Sequence, residues 1–219
     1  MRGRSECANC LATIKWFDLI PIISYFLLKR RCRNCKAKIS LLYPIVETTI
    51  AIVLLLFFLF RPELNMLVLA HAAVIALLTL IFFLDARYLT IPDKILAMLA
   101  VLIIGLNMAE GKFGLANTLI FPLGLSAFFG ILFMVSKGRW IGLGDVKLIF
   151  LIGVSLGYPM GYLSIVASVW LATLFSLILI VAGKANGKTE IPFGSFLSAA
   201  TIIFLIFENE LQEISKYFF

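Results

Sequence analysis

The 219 residues are 62% hydrophobic, with a mean hydropathy of +1.07 and only 14% charged side chains. A soluble globular domain is about half apolar, so this composition excludes one and points to a chain solvated largely by lipid. The formal net charge of +7 comes from 19 basic and 12 acidic residues. The basic residues flank apolar runs instead of forming a face, so the charge reads as a membrane-orientation signal and no nucleic-acid partner is expected.

Residues 1–42 are polar and basic, without the pattern of a secretory signal peptide. All four cysteines lie here: Cys7 and Cys10 in one C-x-x-C, Cys32 and Cys35 in a second, with residues 11–31 between them. Two such knuckles can set four thiolates around Zn²⁺, at a spacing just outside the usual zinc-ribbon range. The alternatives are a pair of disulfides or four unrelated thiols, and a reducing cytoplasm disfavours disulfides. A closed four-sulfur site is structural, replacing the core that about forty residues cannot bury. Arg30, Arg31, Arg33 and Lys36 are expected to favour the thiolate forms. Between the knuckles, "IKWFDLIPIISYFLLKR" carries an apolar patch of Trp16, Phe17, Ile20, Ile22, Ile23, Tyr25 and Phe26. Packing over the metal is the favoured reading. The other is a surface that lies on the membrane or receives a substrate segment. Asp18 reads as a turn or capping residue.

From residue 43 onward, apolar runs long enough to cross about 30 Å of hydrocarbon recur. The expected spans are 43–60, 66–84, 95–108, 115–136, 148–159, 161–182 and 191–207, the third and fifth short, with six crossings as the alternative count. No internal repeat stands out. If residues 1–42 are cytoplasmic, the inner segments 1–42, 85–94, 137–147 and 183–190 hold sixteen of the nineteen basic residues, the bias that sets orientation. The expected fold is an all-α polytopic membrane protein: about seven transmembrane helices (43–219) and a small cytoplasmic zinc-knuckle region (1–42).

Three acids stand at span ends or within spans, where ionisable groups usually face the bundle interior and mark function. Glu47 lies in "YPIVETTIA", Asp85 ends the second span in "IFFLDARYLTIPD", and Asp145 opens the fifth in "WIGLGDVKLIF". Alternating spans put Asp85 and Asp145 at one level near the cytoplasmic face. Two neighbouring carboxylates cannot both ionise easily, so one holds a proton while the other serves as base. That pair can activate water and protonate an amide oxygen without metal or nucleophilic serine. Gly142 and Gly144 would let backbone approach a substrate and pair with it as an added strand. The plainer reading makes Asp145 a helix N-cap. Asp93, in "IPDK", reads as the cap of the third span and a secondary acid. His71, the single histidine, reads as a buried polar residue bonded to a neighbouring helix, ahead of a proton relay.

These stretches, in order, resemble those of the type IV prepilin peptidases, G-x-G-D intramembrane aspartic proteases: two C-x-x-C knuckles, "KISLLYPIVE", "LDARYLTIPD", "GLGDVKL" and "IPFGSFLS". The resemblance implies that Asp85 and Asp145 are the catalytic pair, with Gly142, Gly144, Lys147, Glu47 and Asp93 as supporting motif positions. It implies cleavage, on the cytoplasmic side, of prepilin or pseudopilin leaders that precede an apolar helix. It also implies N-methylation of the new α-amine with S-adenosylmethionine through the cysteine-bearing region. No dinucleotide-type glycine motif supports methyl transfer independently. Family members usually open with a further membrane helix, and "RGRSEC" is similar to the stretch that follows it. The expectation without that helix is poorer substrate docking with the dyad intact. A transporter with a zinc-ribbon head would need internal symmetry and charges at mid-depth, and a non-catalytic pilus or secretion assembly protein would need neither Asp85 nor Asp145.

Overall fold

The computed structural model describes residues 5–7, 9–20, 23–184, 186 and 189–215, so Ile22 of the apolar patch lies outside the described residues. The described chain is almost wholly helical and divides into two compact units, residues 1–53 and 54–219. The expected boundary at 42/43 follows charge, whereas the division by packing falls within the first long helix.

In the first unit the two cysteine knuckles are the same structure built twice, 25 positions apart. Glu6 and Thr13 form an antiparallel bridge, as do Arg31 and Lys38. Cys7 N–H donates to Ala12 O and Leu11 N–H to Cys7 O, and in the second copy Cys32 N–H donates to Ala37 O and Lys36 N–H to Cys32 O. Leu11 and Lys36 both take left-handed backbone (φ 54° and 58°), the turn that brings each second cysteine back toward the first. "SECANCLATI" and "RRCRNCKAKI" are therefore an internal repeat. Sequence comparison missed it because only Cys, Asn, Ala and Ile recur. A 3₁₀ turn (Trp16–Leu19) and α1 (Ile23–Leu27) link the copies.

α2 (Leu42–Phe60) runs from the first unit into the second. There follow α3 (Met66–Tyr88), α4 (Asp93–Ala109), a π-helical turn (Leu115–Ile120) leading into α5 (Phe121–Ser136), α6 (Leu143–Leu156), α7 (Met160–Val181), α8 (Phe193–Ile206) and α9 (Glu208–Ser215). Among the described residues, four stretches are long and apolar enough to cross a membrane: 42–60, 66–88, 115–136 and 160–181. α4, α6 and α8 fall short of that length, so seven is an approximate count of spans. α3 runs four residues beyond the expected 66–84, past Asp85, and α6 starts five residues before the expected 148, ahead of Asp145. Both acids thus lie inside helical turns.

The second unit is organised around α6 and α8. α8 packs against α3, α6 and α7, and α6 against α4, α5 and α7. Close approach depends on small residues, as expected where lipid supplies no hydrophobic drive between helices. A Cβ at Gly153 would stand 3.0 Å from Pro122 Cα, and one at Gly161 would meet Phe121 at 3.2 Å. Buried polar groups tie the helices: Asn107 donates to Val154 O across α4 and α6 (2.8 Å), and Ser164 pairs with Thr201 across α7 and α8 (3.3 Å). At one end of the unit, charges form a chain. Arg61 pairs with Glu208 (3.0 Å), Lys112 with Glu208 (3.4 Å) and Glu110 (2.9 Å), and His71 Nε2 lies 3.6 Å from Glu110. His71 Nδ1 meets Leu67 O at 3.0 Å, so the ring bridges its own helix and the end of α4.

Candidate active site

Three helix ends meet at the other end of the second unit. The last turn of α3 carries Asp85, and Leu89 closes that helix in left-handed backbone (φ 52°), its N–H on Asp85 O. The first turn of α6 carries Asp145. The first turn of α8 carries Gly194 and Ser195. Asp85 is 5% exposed and Asp145 9%, an unusual burial for carboxylates.

Each carboxylate has one oxygen anchored. Asp85 Oδ2 accepts the Ser195 backbone N–H at 2.7 Å. Ser195 Oγ lies 3.1 Å from the same oxygen and 2.9 Å from Phe82 O. Asp85 therefore caps the N-terminus of another helix, sharing with Pro192 O (3.2 Å) a donor of its first turn. Asp145 Oδ2 accepts the Gly142 N–H at 3.1 Å, the reciprocal arm of a capping box in which Gly142 is the N-cap and Asp145 the third helical residue. Asp145 is thus not the N-cap expected from sequence, because the helix starts earlier.

α3 and α6 both pack on α8, and the carboxylates meet around Gly194. A Cβ at Gly194 would lie 2.9 Å from Asp145 Oδ1, 3.1 Å from Asp85 Cγ and 2.8 Å from Ile91 Cδ1. Both acids therefore border one methyl-sized volume that only glycine leaves open. Ile91 also fills the space beside Gly144, where a Cβ would meet it at 3.2 Å, and a Cβ at Gly142 would crowd Asp145 Oδ2 at 3.2 Å. Neither Gly142 nor Gly144 takes left-handed backbone, and Gly144 is helical. The two glycines make room for Asp145 and Ile91. The expected strand pairing at this pair fails at Gly144, since helical backbone offers no extended edge.

Asp93 also departs from expectation. Pro92 is the N-cap of α4, and Asp93, the first helical residue, is largely exposed and pairs with Lys147 Nζ at 2.6 Å. That ion pair ties α4 to α6 and accounts for the lysine of "GLGDVKL". Gly194, Ser195 and Ile91 had no role assigned from sequence. The available signal was "IPFGSFLS", a Pro-x-Gly leading into an apolar helix.

In the first unit, the sulfurs of Cys7, Cys10, Cys32 and Cys35 all lie within 4.8 Å of one another, with Cys7 Sγ 3.9 Å from Cys35 Sγ. A tetrahedral metal with bonds of about 2.3 Å needs such spacing, so the residues fit a metal ion. Side-chain amides cross between the copies: Asn9 Nδ2 stands 3.6 Å from Cys35 Sγ and Asn34 Nδ2 3.9 Å from Cys10 Sγ. The Ala37 backbone N–H and the Asn9 amide bring the Cys35 thiol down to about 6, and the N–H groups of Cys10 and Asn9 lower that of Cys7. Backbone donors of the turns therefore favour the thiolates of Cys7 and Cys35, where Arg30, Arg31, Arg33 and Lys36 were expected to do so.

Asp18 is no cap. Arg33 grips it with Nε (2.9 Å) and a terminal nitrogen (2.7 Å) while stacking over Phe17 at 5.3 Å. The guanidinium's hydrogen bonds hold the Asp18 carboxyl below its usual range. The favoured packing of the apolar patch over the metal also fails: Trp16, Phe26 and Leu27 are mostly exposed, and among the patch's described side chains only Tyr25 is buried. Glu47 sits on α2 within the first unit.

A model of the bacterial peptidase A24 N-terminal domain matches residues 1–60, and one of the type IV leader peptidase family matches residues 72–177. The chain is 34% identical over 206 residues to the type 4 prepilin-like proteins leader peptide-processing enzyme of Escherichia coli O78:H11, covering 91% of this chain and 74% of that one. It is 26% identical over 219 residues to a prepilin leader peptidase/N-methyltransferase of Bacillus subtilis (95% and 83% covered). To the protein of that name from Pseudomonas aeruginosa it is 27% identical over 218 residues (94% and 72%). No solved structure matches. With a third of its residues shared with one such enzyme along most of both chains, and both domain models matched in order, this chain belongs to the type IV leader peptidase family.

Proposed function

We propose that this chain is a multi-pass membrane aspartic endopeptidase that removes the leader from type IV prepilin-like substrates, with Asp85 and Asp145 as its catalytic pair. The observation that carries the assignment is their convergence on Gly194. One carboxylate takes a proton from water as the water attacks the scissile carbonyl, and the other gives its proton to that carbonyl's oxygen. Ser195 and Gly142 anchor one oxygen of each acid, so the pair is held in position before substrate arrives. The first turns of α6 and α8 add the positive ends of two helix dipoles. Asp93 and Lys147 act at the exposed rim as an α4–α6 tie.

The substrates on this reading carry a leader in the cytoplasm and an apolar helix in the bilayer, and residues 1–42 share the leader's side of the membrane. Zinc is the metal that four thiolates at these distances suit best, and its role is to hold the two knuckles as one body. Methylation of the new α-amine by S-adenosylmethionine is the second activity carried by relatives' names. The cavity beside the knuckles, lined by four cations and no acid, does not suit a sulfonium.

The test is leader cleavage in membrane vesicles with a prepilin substrate. Asp85→Asn and Asp145→Asn should each abolish cleavage with unchanged protein level, because asparagine keeps the shape and loses the exchangeable proton. Asp93→Asn should retain most activity. Activity surviving in Asp85→Asn, with Asp93→Asn inactive, would overturn the assignment of the first acid.

A further inference from the structure

The first unit contains two adjoining depressions that share Tyr25, Arg30 and Leu41. The first, about 350 Å³, is lined by Tyr25, Lys29, Arg30, Arg31, Lys38, Ile39 and Leu41. Four of its seven lining residues are cations, and among the described residues no carboxylate pairs with any of them. Tyr25, 5% exposed, has a buried hydroxyl with no hydrogen-bond partner among those residues. A buried hydroxyl left unmatched is costly, and unneutralised cations around a cavity repel one another. Both features call for an anion.

The second depression, about 330 Å³, differs in chemistry. Phe26, Leu41, Pro44 and Ile45 line it with Thr48 and Thr49. Both threonine hydroxyls are turned back onto their own helix, Thr48 to Pro44 O and Thr49 to Ile45 O at 2.9 Å, so they show methyl groups and offer no free donor. This wall is the first two turns of α2, a helix long and apolar enough to cross a membrane. Lys38, Ile39 and Leu41 immediately precede it, which puts the cationic depression at headgroup depth and the apolar one along the hydrocarbon. Exposed Trp16, Leu19, Phe26 and Leu27 of the same unit are the side chains of a surface that lies on lipid.

From this juxtaposition we infer that the first unit holds one anionic phospholipid: its phosphate sits among Lys29, Arg30, Arg31 and Lys38, and an acyl chain lies along the first turns of α2. The site anchors the knuckles to the cytoplasmic leaflet by one specific lipid, in addition to general attraction of basic residues to an anionic surface. It stands on the chain being a membrane protein and does not depend on the peptidase assignment, so each can fail alone.

Native mass spectrometry of the full-length protein, purified in detergent and offered phosphatidylglycerol or phosphatidylcholine, tests the site. One phosphatidylglycerol per chain should be retained and phosphatidylcholine lost. Arg31→Gln with Lys38→Gln, which keeps the backbone bridge between these positions, should weaken retention about thirty-fold, as two interfacial cations warrant. Thr48→Trp fills the apolar groove away from the knuckles and should weaken retention with metal content unchanged, which covers the case of a misfolded double variant. Equal retention of the two lipids, displacement by an equal concentration of inorganic phosphate or S-adenosylmethionine, or undiminished retention in a metal-replete variant would each overturn the inference.

Discussion

At the scale of single residues, the candidate site turns on a side chain that is absent. Gly194 is the point where Asp85, Asp145 and Ile91 converge, and its φ is unexceptional, so the need for glycine is one of space. Gly194→Ala would push a methyl group against two carboxylates each already anchored through one oxygen, so something must shift. Displacement of reacting groups by about an ångström costs catalysis about a hundred-fold. Gly194→Ala should therefore lower the turnover number that much, with protein level and insertion unchanged. Ser195→Ala removes the hydroxyl but keeps the backbone donor at 2.7 Å, so it should cost about five-fold, the value of one hydrogen bond. Single-turnover cleavage in vesicles separates the two. A harmless Gly194→Ala would mean that the dyad relaxes freely, and the geometry described above would not be the working one. None of this was legible before the fold was known. Aspartates at span ends announce themselves by the cost of their position, whereas a glycine facing two acids from another helix looks like any other glycine.

At the scale of elements, legibility followed the length of the signal. The long apolar runs of α2, α3, α5 and α7 read correctly from hydropathy. The ends of α3, α6 and α8 did not, because they are set by caps: Leu89 in left-handed backbone, the Gly142–Asp145 box, and Asp85 on the Ser195 N–H. The two knuckles show the converse: the C-x-x-C pairs read plainly, but their equivalence emerged only when the hydrogen bonds could be laid over one another. That equivalence makes a prediction. If one metal is held by two like halves, Cys7→Ser with Cys10→Ser and Cys32→Ser with Cys35→Ser should each abolish binding of about one zinc per chain. Asn9→Ala and Asn34→Ala, which remove the crosswise amides, should each weaken retention about ten-fold without abolishing it. Elemental analysis and competition by a chelator read both effects. The cysteine variants should lose less peptidase activity than they lose metal, since the dyad is built wholly from α3, α6 and α8. Zinc bound normally after loss of one knuckle would show that the metal belongs to one half.

At the scale of the whole molecule, the second unit has two unlike ends. One is closed by Arg61, Glu208, Lys112, Glu110 and His71, whose charges largely cancel within their own network. The other carries the buried acids, and the helix ends and loops flanking it hold Arg87, Lys94, Lys137, Arg139, Lys147 and Lys184. A lone basic residue outside the membrane is tolerated when paired, and both Arg61 and Lys112 are paired. The basic excess lies at the dyad end, and such an excess flanking spans predicts that this end faces the cytoplasm. The site should thus open where a leader still waiting in the cytoplasm can reach it. Reporter fusions read this directly: alkaline phosphatase joined after residue 63 or 113 should be active, and joined after residue 90 or 140 inactive, with a cytoplasmic fluorescent reporter giving the reverse. Reversing the bias tests the cause. Lys137→Glu with Arg139→Glu removes two flanking cations without touching Asp145 or its Gly142 anchor, and should yield a mixed population at the 113 and 140 fusions. Cleavage should fall only in proportion to the inverted fraction. If cleavage stopped while both fusions kept their original readout, these cations would belong to substrate handling and not to orientation.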